Sequence, residues 1–211
     1  MARRGYGGEL AKIFAGLLLL VLTVIGLAYG SLLRQMDQAA EDYNRGDVEG
    51  ALKRYESIER RLRSWGAIRL VPARDRRNLF LNEAQLLYAL GRYDDALDRT
   101  ELEKEISSVT TDGRFILLRG EITFRKAVKN YRESAKKDPR LLDEALRSAE
   151  DNFRDSLRLI PNNWDAKFDF EYINYLRSLM NQSGEGQMKI LMENVRVKQL
   201  PPKTLTPEQQ M

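Results

Sequence analysis

Between Lys12 and Arg34 the chain carries 21 consecutive uncharged residues, Ile13–Leu33, with LLLLVLTVIGL at their centre. At about 1.5 Å per residue, a helix of that length spans the roughly 30 Å hydrocarbon core of a bilayer. A buried helix of a soluble protein is the competing reading, but nothing else in the sequence is apolar enough to enclose it. The run therefore predicts a transmembrane anchor over 13–33, and whatever follows must fold outside the membrane. Before the run, Arg3, Arg4 and Lys12 stand against Glu9; after Arg34 come Asp37, Glu41, Asp42 and Asp47 against Arg45. That asymmetry favours a cytoplasmic segment over 1–12 and a domain on the far side, which in a bacterium is the periplasmic face of the inner membrane. Ala28-Tyr29-Gly30 before Ser31 has the small-x-small spacing of a signal-peptidase site, so removal of the segment is the alternative to a retained anchor. Arg3-Arg4 suggests twin-arginine export, but the residues after it fit that signal poorly.

Composition narrows the chemistry. Neither cysteine nor histidine occurs, so disulfides, thiolate nucleophiles, imidazole bases and the commonest metal ligands are excluded. An enzyme would have to use a carboxylate pair such as Glu121 with Asp165, and only residue types support that. A non-enzymatic protein without cofactor or metal is the expectation. The net charge of +4 over 211 residues is too mild to call for nucleic acid, and the predicted side of the membrane disfavours it.

Beyond Leu33 the apolar residues recur at helical spacing. Around Gly91-Arg92-Tyr93, one stripe (Leu79, Phe80, Ala84, Leu87, Tyr88) precedes the turn and another (Ala96, Leu97, Thr100, Glu103) follows it. This predicts two antiparallel helices within Asp75–Ile106, with Asp75 a candidate N-cap. Ser31–Arg63 repeats the arrangement around Gly46-Asp47-Val48, with Met36, Ala39, Ala40 and Tyr43 before the turn and Ala51, Leu52, Tyr55 and Ile58 after it. No breaker separates Leu33 from Tyr43, so the membrane helix is expected to run straight into this first pair. Ser64–Ala73 interrupts the pattern with Gly66 and Pro72. Ser107–Asp112 reads as a turn, with Thr111 or Asp112 capping a long helix over Gly113–Lys137. Asp138-Pro139 then starts a partner helix that closes at Ile160-Pro161-Asn162-Asn163. Trp164–Met180 reads as a final capping helix, with Phe168, Phe170, Tyr172, Ile173, Leu176 and Met180 as its stripe. Residues 181–211, broken by Ser183-Gly184-Glu185-Gly186 and holding three prolines, read as a flexible tail.

The G-x-Y-x-x-A-L arrangement GRYDDAL at Gly91–Leu97 resembles the tetratricopeptide repeat (TPR), GDVEGAL at Gly46–Leu52 repeats it, and the third pair, with an insert in place of the turn, resembles it more loosely. The resemblance covers about Leu32–Met180. It implies an all-α chain: the membrane helix followed by a short TPR-like array over 34–180, about three hairpins plus a capping helix. Within that alignment Tyr43, Tyr88, Phe124 and Tyr175 share one repeat position, where aromatics are expected to pack between hairpins. A narrower resemblance rests on LIPNNWDAKFDFEYI at Leu159–Ile173. It is similar to a P-x-N-W-D-A-R-Y-N-L-E segment of small membrane-anchored TPR proteins encoded beside MoxR-type AAA ATPases and von Willebrand A-domain proteins. The K accessory protein of methanol-oxidation operons is one of them. Lys167, Phe168, Asp169 and Phe170 stand where that family has Arg, Tyr, Asn and Leu. The resemblance implies an accessory protein in maturation of a periplasmic metalloenzyme, methanol dehydrogenase being the best-known client.

TPR arrays present the inner faces of their first helices as a concave groove. Carried onto this sequence, the lining would be Asn78, Leu81, Gln85 and Tyr88, then Arg114, Glu121 and Arg125, then Asp165 and Tyr172. The partners expected there are other proteins, and the lipid bilayer holds the anchor. A permanent structural subunit of a membrane complex is the alternative to a docking adaptor. The basic stretch Lys53–Arg77 reads as a solvated face, with anionic headgroups or an acidic partner as the alternative. Asp94–Glu105 is acidic, but its spacing matches no calcium loop, so it reads as a solvent face.

Overall fold

The computed structural model describes residues 6–101 and 112–182, and no strand occurs among the described residues. Its helices are α1 (Tyr6–Asn44), α2 (Val48–Ser64), α3 (Ala73–Ala89), α4 (Tyr93–Glu101), α5 (Gly113–Glu133), α6 (Pro139–Leu159) and α7 (Trp164–Gln182), with one 3-10 turn at Ala67–Arg69. Pairs that are consecutive in the chain pack together: α1 on α2, α3 on α4, α5 on α6, and α7 against α6. Of the expected tail over 181–211, residues 183–211 lie outside the described residues, as do the expected turn up to Thr111 and Glu103, whereas Asn181 and Gln182 extend α7 past the expected end at Met180.

Chain reversal follows the predicted punctuation. Gly46 and Gly91 have φ of +89° and +74°, a left-handed conformation that a Cβ disfavours by about 1–2 kcal/mol. Asp47 then caps α2 by accepting from the Gly50 amide at 2.8 Å. Asp112 and Asp138 cap α5 and α6, their carboxylates accepting from the amides of Arg114 and Arg140. Two further boundaries differ from the sequence expectation. Pro72, not Asp75, is the N-cap of α3. Its carbonyl takes the amides of Asp75 and Arg76 at 3.0 and 3.1 Å, and the fixed φ of proline suits that place. Asp75 lies in the first turn instead, where its carboxylate accepts the Tyr29 hydroxyl at 2.6 Å. Helix α5 ends at Glu133 rather than Lys137. Ser134 is extended, and Lys137 folds back to donate to the carbonyls of Tyr131 and Arg132 at 2.6 and 2.5 Å.

Helix α1 has two regimes without a break between them. From Lys12 to Ser31 every residue is exposed, although Ile13–Leu22 is almost wholly apolar. This part is long and apolar enough to cross a membrane. From Leu32 onward one side is buried, with Leu32, Met36, Ala39 and Ala40, and the first three share a core with Ala51, Leu52, Tyr55 and Ile58 of α2. Tyr55 ties three helices, donating to the Met36 carbonyl at 3.2 Å and accepting from Asn82 Nδ2 at 2.9 Å. Burial, the largest influence, pushes its hydroxyl up to about 12, so it stays a donor at neutral pH.

Two cores share α5. Phe115, Leu118 and Ile122 join the core built by α1 to α4, whereas Leu117, Phe124, Ala127, Val128 and Tyr131 join α6 and α7 in the second. Helix α7 is further held by Arg177, which donates to Asp143 Oδ1 at 3.0 Å and pairs with the buried Glu150, itself also paired with Arg154. Burial opposes the charge on Arg177, but Asp143 and Glu150 outweigh it and raise its pKa. Removing one partner of such a network leaves a buried carboxylate less well compensated. Arg177→Ala is therefore expected to cost about 1–3 kcal/mol and to raise hydrogen exchange in α7 before α3, as measured by mass spectrometry on the full chain.

Candidate docking face

The nine predicted lining residues come from three helices. On α3, Asn78, Leu81, Gln85 and Tyr88 lie at i, i+3, i+7 and i+10, and all four are buried. On α5, Glu121 is buried while Arg114 and Arg125 are half-buried; on α7, Asp165 and Tyr172 are half-buried. Arg114 joins the first two helices. Its Nη1 donates to Asn78 Oδ1 at 3.0 Å while Asp112 holds the rest of the guanidinium, with Nη2 to Oδ2 at 2.6 Å. Burial would raise the Asp112 carboxyl, but the hydrogen bonds and charge of Arg114, with Arg77 nearby, hold it below the usual carboxylate range. The guanidinium is thereby locked in one direction.

Leu81, Gln85, Arg114, Glu121 and Asp165 line one depression, together with Asn163. Glu121 and Tyr172 line the next, with Phe124, Phe153 and Asp169. Tyr88 lies beyond, with the Arg125 guanidinium 5.8 Å from its ring centre and Tyr93 6.0 Å away on another side. Burial, then the Glu121 carboxylate, pushes the Tyr88 hydroxyl above its ordinary value. All nine residues thus belong to one connected line across α3, α5 and α7. Its floor is deeper than the sequence reading expected, since five of the nine are buried.

Each of the two depressions holds about 20 Å³, room for one water and far below the roughly 300 Å³ at which small-molecule pockets begin. A wider one, about 210 Å³, opens at the α5–α6 turn between Tyr131, Ser134, Lys136 and Leu141, away from all nine residues. The described residues hold no cluster of three or more acidic groups that would take a metal.

One surface escaped the sequence reading. Trp164, Phe168 and Tyr175 of α7 are 79%, 61% and 59% exposed. With Tyr172, stacked on Phe168 at 6.0 Å between ring centres, they form a stripe at i, i+4, i+8 and i+11. Tyr175 does not pack between hairpins as Tyr88 and Phe124 do, and Phe168 does not belong to the inward stripe. Ala166, Ile173, Leu176 and Met180 supply that stripe. Among the described residues no helix follows α7 to cover its outer face. The signal was present in the sequence: two interleaved apolar stripes on one helix, with the second helix of a further pair missing.

Among the described residues, fold and face together define an all-helical protein with sequentially paired helices and one N-terminal helix of membrane-spanning length and polarity. No family model, curated protein or solved structure matches it.

Proposed function

We propose that the protein is a membrane-anchored, non-catalytic adaptor of TPR-like architecture that docks partner proteins during assembly or maturation of a larger complex. The observation that carries this reading is the α7 surface: three large aromatics stand in solvent beside a connected line of arginines, carboxylates and tyrosines from three helices. Exposed aromatic and arginine side chains are the side chains that dominate protein interfaces. The absence of histidine and cysteine is consistent with binding rather than catalysis. The charge asymmetry about the anchor supports a domain on the periplasmic side of a bacterial inner membrane. The resemblance at Leu159–Ile173 extends the proposal to the accessory proteins of MoxR and von Willebrand A-domain operons, with a periplasmic metalloenzyme such as methanol dehydrogenase as client.

Gentle solubilisation and affinity recovery of the full chain should bring down a stoichiometric partner. Trp164→Ala/Phe168→Ala/Tyr175→Ala should reduce its recovery at least tenfold while leaving the melting curve close to that of the unaltered chain, because these side chains are mostly exposed. Repeated recovery of the protein alone would count against the adaptor. The same exposed stripe also favours a second reading, a permanent structural subunit in which a neighbour covers α7. Deleting Gln187–Met211 separates the two: a permanent subunit should lose assembly, whereas an adaptor using only its helical faces should keep its partner.

A further inference from the structure

The connection between α2 and α3 turns its apolar residues both ways. Ile68 and Val71 pack into the first core, whereas Trp65 and Leu70 are 75% and 85% exposed. The loop is braced in that state. The amides of Trp65 and Gly66 reach the carbonyls of Arg61 and Arg63 at 3.2 and 3.0 Å, and Leu70 closes on Ala67 at 2.9 Å. Around the two apolar residues the charge is of one sign. From Arg60 to Arg74 there are five arginines and no acidic residue, and all five are exposed.

Two independent contacts place this loop along α1. Helix α2 runs antiparallel to α1, with Arg54 donating to Asp42 at 2.8 Å and Tyr55 to the Met36 carbonyl at 3.2 Å. Trp65 lies ten residues beyond Tyr55, about 15 Å at the helical rise. The same distance back from Met36 reaches the neighbourhood of Gly26. From the other side of the loop, Asp75 takes the Tyr29 hydroxyl at 2.6 Å. Both routes set Trp65 and Leu70 beside the last turns of the apolar, fully exposed part of α1. From Ile13 to Tyr29 that part measures about 25 Å, so a roughly 30 Å hydrocarbon layer counted from Ile13 ends about one helical turn beyond Tyr29, and the loop stands at or just inside its edge.

We propose that the Trp65–Leu70 loop is a second membrane contact, with Trp65 and Leu70 seated at the acyl–headgroup boundary and the surrounding arginines on anionic lipid headgroups. This rests on the reading that α1 crosses the bilayer. An indole at the interface and long cationic side chains reaching the headgroups are the side chains suited to that depth. A single tethering helix would let the domain swivel and lean. A second contact braced through Tyr29 and Asp75 fixes how the domain stands on the membrane.

The chain lacks cysteine, so single spin labels can be placed on it at Leu20→Cys, Leu70→Cys or Leu141→Cys. The labelled chains are reconstituted in phosphatidylcholine vesicles with and without phosphatidylglycerol, and accessibility to oxygen is compared with that to a water-soluble nickel reagent. With phosphatidylglycerol present, the oxygen-to-nickel ratio at positions 20 and 70 should exceed that at 141 several-fold. At position 70 it should fall when phosphatidylglycerol is omitted or Arg61→Glu/Arg69→Glu is introduced. A lipid-like value at 20 with a water-like value at 70 overturns the loop contact and leaves the span intact. A water-like value at 20 overturns the span, and the loop contact with it. A lipid-like value at 70 that ignores both lipid charge and the arginine substitutions overturns the assignment to anionic headgroups.

Discussion

Gly120→Ala is expected to destabilise the domain by about 1–3 kcal/mol, although alanine is the better helix former by about 1 kcal/mol. A Cβ at 120 would stand 2.6 and 2.7 Å from two ring carbons of Phe153. That ring is 1% exposed and sits inside the core shared by α5, α6 and α7, so it cannot swing aside without displacing other side chains. Phe153→Leu removes the ring edge, and in that background Gly120→Ala should become neutral or stabilising because helix propensity then acts with less opposition. Phe153→Ala alone should cost about 3–5 kcal/mol. Chemical denaturation of the full chain in detergent, followed by helical circular dichroism, gives all corners of the cycle. A stabilising Gly120→Ala in the unaltered background would mean that α5 and α6 do not approach as closely as described.

Where the sequence carried a strong local signal, the structure follows it. Gly46 and Gly91 mark reversals because left-handed backbone excludes most other residues, and Asp138-Pro139 opens α6 because both residues suit a first turn. The passage of α1 into the first helix pair was legible because nothing between Leu33 and Tyr43 breaks a helix. What escaped depends on neighbours. Asp75 read as a cap because capping is a local rule, but Pro72 takes that place and Tyr29, far away in sequence, takes the carboxylate. Periodicity shows which residues share a face of α7, not whether anything covers that face, so spacing alone counts Tyr175 and Phe168 among the packed residues. The nine lining residues are brought into one line because side chains of α3, α5 and α7 meet there. Their depth was hidden for a different reason: α3 has neighbours nearly all round, and from Asn78 to Tyr88 it is buried on every face. A helix so enclosed must bury polar residues as well as its apolar stripe, and amphipathic spacing cannot say which ones.

Glu83 is the sharpest consequence of that enclosure, and it is expected to make stability fall as pH rises from about 5 to above 8. The side chain is fully buried on α3. Arg99 of α4 reaches it at 3.2 Å but lies closer to Glu59 of α2, at 2.6 Å, and Glu59 is also engaged by Arg63. Arg99 is thus shared, and its charge does not offset the burial of a second carboxylate. Burial foremost, with Glu59 and Glu56 adding repulsion against the attraction of Arg99 and Arg63, pushes the Glu83 carboxyl up from 4.5 to about 8. The sign follows from proton counting. Between the unfolded and folded values the folded chain holds a proton that the unfolded chain has released, so stability present at pH 4.5 is lost progressively until pH passes the folded value. The difference corresponds to at most about 5 kcal/mol. Glu83→Gln keeps the shape and cannot ionise. It should equal the unaltered chain in stability near pH 5 and exceed it above pH 8, so that the two curves of denaturation midpoint against pH diverge in that window. Arg99→Ala should lower stability across the window, because Glu59 then keeps only Arg63 as a partner, and the loss should grow toward pH 8, where Glu83 ionises without its nearest cation. Parallel pH curves for the unaltered chain and Glu83→Gln would show that Glu83 is ionised in the folded protein and that Arg99 serves both carboxylates fully.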